Sequence, residues 1–113
     1  MPVGRLIVGE MKIQSANFEA IDSERVKVLG DLNLHTVSAY LAEGKSIISN
    51  AQARLCMDLS NIQVEDTSVL ALLISWHRFA ISQDKRLLIA NCPQKLLEIA
   101  KLGGIHEILR FEV

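Results

Sequence analysis

The sequence predicts an α/β fold: a mixed β-sheet with an N-terminal hairpin and a parallel centre, flanked by about three to four helices. Three observations lead there. Two short, nearly continuous apolar runs, Ala53–Leu59 and Arg86–Ala90, have the character of central strands covered on both faces, as in parallel sheets. Around them, apolar residues recur at helical spacing. Ahead of them lies a stretch of alternating polar and apolar residues broken by a polar turn. Strands that alternate with helices imply parallel pairing through right-handed crossovers.

Met11 to Leu29 reads as extended chain. Phe18, Ala20 and Ile21 precede a polar break at Asp22-Ser23-Glu24, and Arg25-Val26-Lys27-Val28-Leu29 alternates as a half-exposed strand does, so the two segments predict an antiparallel hairpin. Gly30-Asp31 is the expected stop of the second strand. A helix near 36–49 follows, with Val37, Tyr40, Leu41, Gly44, Ile47 and Ile48 on one stripe, Asn33 or Thr36 as its N-cap and Asn50 at its end. Gly44 weakens that helix, and close packing against the sheet is the expected compensation. The strongest helical pattern, near 67–83, carries Val69, Leu72, Leu73, Trp76 and Ala80, with Asp66 or Thr67 as its cap. A third helix, 94–102, is bracketed by Pro93 and Gly103-Gly104. A last extended piece, Ile108 to Val113, closes a sheet of four or five strands.

Composition narrows the function. At 113 residues the chain is expected to be one domain, 1–113, with residues 1–10 as an N-terminal extension; whether translation starts at Met1 or Met11 stays open. Hydrophobic residues make up 50%, with six glycines and two prolines, which excludes disordered and collagen-like classes. Lys+Arg number 12 against 13 Asp+Glu, a formal charge of −1 with no basic run, so no nucleic-acid partner is expected. Aromatics at 4% also argue against a base-stacking sheet. The start, MPVGRLIVGEMK, lacks the pattern of a signal peptide, and no segment has bilayer-spanning length. Cys56 and Cys92 form no C-x-x-C pair and read as buried, reduced thiols of a cytoplasmic protein.

No ordinary catalytic pattern is present. His35, His77 and His106 have no metal-ligand spacing, and no phosphate loop or nucleophile elbow occurs, so neither an enzyme nor a cofactor nor a metal is expected. One segment stands out: Asp58-Leu59-Ser60-Asn61-Ile62-Gln63-Val64-Glu65-Asp66-Thr67-Ser68-Val69-Leu70, where an apolar strand gives way to a polar loop and then a helix start. Free N–H groups at a helix start bind side-chain oxygens or anions. Simple capping accounts for Asp66 and Thr67. The functional alternative is a partner-binding or regulatory surface made of Asp66, Thr67, Ser68, Val69 and Leu70, with Ser68 or Thr67 as a phosphorylation site. A phosphate there adds about −1.5 to −2 charges beside Asp66.

The run DLSNIQVEDTSVLALLISW resembles the DLSxVxxxDTxGLALLL segment of STAS domains, in particular the small STAS subunits of Mla-type phospholipid ABC transporters. Gly30-Asp31-Leu32 with Thr36-Val37 is similar to that family's GxL…TV entry into its first helix, and Asn91-Cys92-Pro93 through Leu102 to its NxPxxLxxLAxL helix. The resemblance spans about Phe18 to Leu109. It implies a non-enzymatic STAS subunit that binds the ATPase subunit of an inner-membrane phospholipid transporter and supports outer-membrane lipid asymmetry. Membrane association is then only through that complex; a homodimer stays open. Another STAS branch, the anti-sigma factor antagonists, is similar to Asp-Ser-Ser-Gly at this point, with the second hydroxyl phosphorylated by a partner kinase. Ser68 holds that position here, but Val69 replaces the glycine.

Overall fold

The computed structural model describes residues 6–8, 11–13 and 15–112. Most of the expected extension 1–10, and Val113 of the expected last strand, lie outside them. Short strands β1 (Leu6–Val8) and β2 (Met11–Ile13) pair antiparallel. The main sheet has four strands in the order β3-β4-β5-β6, formed by Phe18–Asp22, Arg25–Leu32, Arg54–Val64 and Arg86–Ala90. β3 and β4 are the antiparallel hairpin read from the alternation; β4, β5 and β6 run parallel. Between them lie α1 (Val37–Asn50) and α2 (Ser68–Ser82), and α3 (Gln94–Leu102) follows β6.

Side chains alternate across β5. Leu55, Met57 and Leu59 enter a hydrophobic core with Val26 and Val28 of β4, Leu87 and Ile89 of β6, and the inner stripes of the three helices. Trp76 of α2 is fully buried at its centre, with the Phe18 ring 6.0 Å away, and Phe18 also lies 5.8 Å from Tyr40. Cys56 and Asp58 take the alternate positions. They are buried too, but their neighbours are polar: Arg25, Asn91 and Glu112. The continuous apolar run thus has a polar cover on its second side, where an apolar layer was expected.

Several local expectations change. Gly30-Asp31 does not stop β4. Gly30 takes φ +102°, the strand continues to Leu32, and Tyr40 Oη donates to the carbonyl of Leu29 beside it. Ser60–Val64, expected as loop, is the second half of β5, because Leu29–Leu32 supplies its ladder partners, Asn61 to Val64. Gly44 packs against Trp76 of α2 and not against the sheet. After α3 comes a 3-10 turn at Ile105–Glu107, and the C-terminal piece contributes a single parallel bridge, Phe111 to Ile89, at the sheet edge.

Candidate functional site

The extra length of β4 and β5 carries the next two loops to the same end of the sheet. Asn33 begins one. Its Oδ1 accepts from the N–H groups of His35 at 2.8 Å and Thr36 at 3.1 Å, so Asn33 caps the approach to α1, while Thr36 makes no side-chain cap bond. Thr36 instead donates its hydroxyl to the carbonyl of Asp31 at 2.8 Å. Asp66 organises the other loop. Its Oδ1 accepts from the N–H of Ser68 at 2.9 Å and from the Ser68 hydroxyl, satisfying one of the free donors at the start of α2.

Asp66 also ties the loops together. Its Oδ2 accepts from the N–H of Leu34 at 2.9 Å; nearby, Asn33 Nδ2 donates to Glu65 Oε1 at 2.9 Å and the N–H of Glu65 to the carbonyl of Leu32 at 3.1 Å. The hydroxyl of Ser68, then the N–H groups of Leu34 and Ser68, hold the Asp66 carboxyl below the usual carboxylate range, and His35 adds to this. Asp66 is therefore the cap of α2. Thr67 occupies the formal N-cap position, makes no side-chain cap bond and is exposed.

The five residues singled out in the sequence part company here. Asp66 and Thr67 are exposed and Ser68 is half-buried. Val69 and Leu70 are 0% and 7% exposed, so their side chains belong to the core and leave the candidate surface to the preceding three. Three neighbours escaped sequence reading. Leu34, 69% exposed, stands beside Asp66 on the joined loop. Lys95 and Ile99 of α3 line a cleft of about 150 Å³ with Val64, Asp66 and Thr67. The Asn33-x-x-Thr36 cap pattern is a local signal for the first loop; nothing local connects it to Asp66. The surface combines an exposed hydroxyl, a carboxylate and exposed apolar atoms.

The second polar cluster is structural. Asp58 accepts from Asn91 Nδ2 at 3.0 Å and from the N–H of Ser60 at 2.9 Å, with Arg25 Nη1 at 3.4 Å. Arg25 continues to Glu112 at 2.6 Å, which fastens the C-terminal piece. Burial pushes the nearby Cys56 thiol up to about 11, which disfavours its thiolate at neutral pH. Among the described residues, no group of three His, Cys, Asp or Glu side chains could hold a metal, and no helix is long and apolar enough to cross a membrane.

A helix-backed mixed sheet thus presents two joined loops at one end. Two solved structures share the fold: the anti-sigma factor antagonist SpoIIAA in its unphosphorylated form, with a TM-score of 0.65, 17% identity and coverage of 85% of this chain and 86% of that one, and a Thermotoga maritima protein assigned as an anti-sigma factor antagonist, with a TM-score of 0.66, 11% identity and 85% of each chain covered. The family model described as "Mlab, STAS domain" matches residues 18–110, and the chain belongs to that family. No curated protein matches the sequence significantly. STAS domains generally act through protein–protein contacts, and the matches place this chain in a class whose members are typically non-enzymatic.

Proposed function

We propose that the protein is a cytoplasmic, non-enzymatic STAS subunit that binds the ATPase of an inner-membrane phospholipid ABC transporter and supports its assembly or activity. The family membership supports the transporter setting. The observation that carries the docking site is the joined pair of loops, on which Asp66 is consumed by internal hydrogen bonds while Thr67 and Leu34 face outward. The lipid and the nucleotide then belong to other subunits, and this chain reaches the membrane only through them.

The test is binding of the purified chain to the ATPase subunit of a phospholipid ABC transporter from the same cell, compared with melting temperature. Thr67→Asp and Leu34→Ser change exposed groups, so folding persists while affinity falls by about tenfold or more, as for a central interface residue worth over 1 kcal/mol. Affinity that falls only in step with stability defeats the site assignment. The rival reading is a phosphorylation-switched antagonist of an anti-sigma kinase. It rests on the resemblance of Ser68 to the phosphorylated hydroxyl of the anti-sigma factor antagonists, from whose pattern Val69 departs; here the Ser68 hydroxyl donates to Asp66. Stoichiometric phosphorylation of Ser68 by an anti-sigma kinase, with no ATPase binding, decides for that rival.

A further inference from the structure

A basic groove lies at the other end of the parallel strands. Arg54 opens β5 and Arg86 opens β6, and the two are register partners. With Lys85, Arg110, Ile81 and Asp84 they line an open groove of about 400 Å³. Four of the chain's 12 basic residues thus meet one acid there, in a protein of formal charge −1. Lys85 is engaged internally, since its Nζ donates to the carbonyls of Ile48 at 2.8 Å and Ser49 at 2.6 Å and so closes the end of α1. The arginines have no such engagement. Among the described residues no carboxylate lies within ion-pair distance of Arg54, Arg86 or Arg110, and all three are exposed. Beside them Ile81 is 52% exposed on the last turn of α2.

We infer that this groove docks an acidic segment of a partner protein, with one apolar side chain of that segment seated on Ile81. Charge complementarity selects the carboxylates, because guanidinium groups pair with them in a planar, two-pronged geometry. Ile81 selects a protein segment over a bare anion: an anion gains nothing by covering an apolar side chain, whereas a peptide removes it from water. A membrane surface fits less well, since Ile81 and the small Ala53 offer no apolar face to insert. The groove is also independent of the Thr67 surface. β5 runs 11 residues from Arg54 to Val64, which at a strand's rise separates the two ends by roughly 30 Å. One partner complex can therefore hold the chain at both ends.

The experiment uses the full chain and a fluorescein-labelled peptide in which one leucine is flanked by aspartates, read by fluorescence anisotropy. Binding to the wild-type chain weakens by about tenfold or more in the Arg54→Glu/Arg86→Glu double variant, as expected when two exposed charges reverse sign. It weakens by about fivefold in Ile81→Ser, where every arginine remains, and Thr67→Asp leaves it unchanged. Arg110→Glu, outside the strand ladder, repeats the charge test if reversal within the β5–β6 pair disturbs folding. An Ile81→Ser variant that binds like wild type overturns the inference. So does displacement of the peptide by inorganic triphosphate or by phosphatidylglycerol vesicles at matched charge. Sedimentation that shows the groove filled by a second copy of the chain, beyond the peptide's reach, overturns it as well.

Discussion

Replacing Gly44 with alanine sets helix propensity against packing, and the structure decides the sign. Gly44 lies inside α1, where alanine would normally add about 1 kcal/mol of stability. A Cβ built there comes within 2.6 Å of Trp76 Cζ2 and closer still to Nε1 and Cε2 of the same indole. Carbon atoms prefer about 3.5–4.0 Å, so the overlap is about 1 Å or more. Trp76 is 0% exposed and flanked by Phe18, so the rigid ring has nowhere to withdraw. Overpacking of this severity costs about 3 kcal/mol, the upper end of its usual range, which leaves Gly44→Ala less stable by about 2 kcal/mol. For a chain of this length that lowers the melting temperature by roughly 8 °C. Trp76 is the single tryptophan, so urea unfolding followed by its fluorescence reads the change at the site itself. In a Trp76→Leu background the same substitution should lose most of its cost, a coupling of about 1 kcal/mol or more. A Gly44→Ala protein more stable than wild type would refute the close contact of α1 and α2.

Three further outcomes follow from the same geometry. Thr67→Ala, which removes no cap bond, changes stability by no more than about 0.5 kcal/mol in urea, whereas Asp66→Ala breaks the cap and the tie to Leu34 and measurably lowers the melting temperature. Asp66 also makes stability pH-dependent. Its carboxyl titrates lower folded than unfolded, so its contribution is present above the unfolded value of about 4 and is lost as pH falls through the folded value; Asp66→Asn flattens the stability profile in that acid window. Burial pushes the thiols of Cys56 and Cys92 up to about 11, so a thiol-reactive dye at pH 7 labels the native protein far more slowly than the urea-unfolded one.

Much of the fold is legible because periodicity is a local property. Arg25–Leu29 alternates and forms a strand; Val69, Leu72, Leu73, Trp76 and Ala80 share a stripe and face the core; Pro93 and Gly103 bracket α3. Strand ends are harder to read. Gly30 reads as a stop and Ser60–Val64 as a loop, because each segment alone is a poor strand. They form one only by pairing with each other, and a ladder partner some 30 residues away leaves no local trace.

The candidate site divides along the same line. A polar loop with two hydroxyls and a carboxylate ahead of a strong amphipathic helix is legible in the residues alone. Which of those groups is spent and which is presented follows from contacts between the loops. Asp66 became the cap because its carboxylate reaches the N–H of both Ser68 and Leu34, the second on a different loop. Val69 and Leu70 went to the core, since helix rotation is set by what the stripe packs against. The basic groove has the same origin: Arg54, Arg86 and Arg110 are distant in sequence and carry no motif, and parallel register sets Arg54 and Arg86 side by side while the C-terminal bridge brings Arg110 to them. Hydrophobic periodicity specifies elements, because each residue's contribution depends on its near neighbours. Polar surfaces form where elements meet, so their composition depends on distances that no short stretch of sequence encodes.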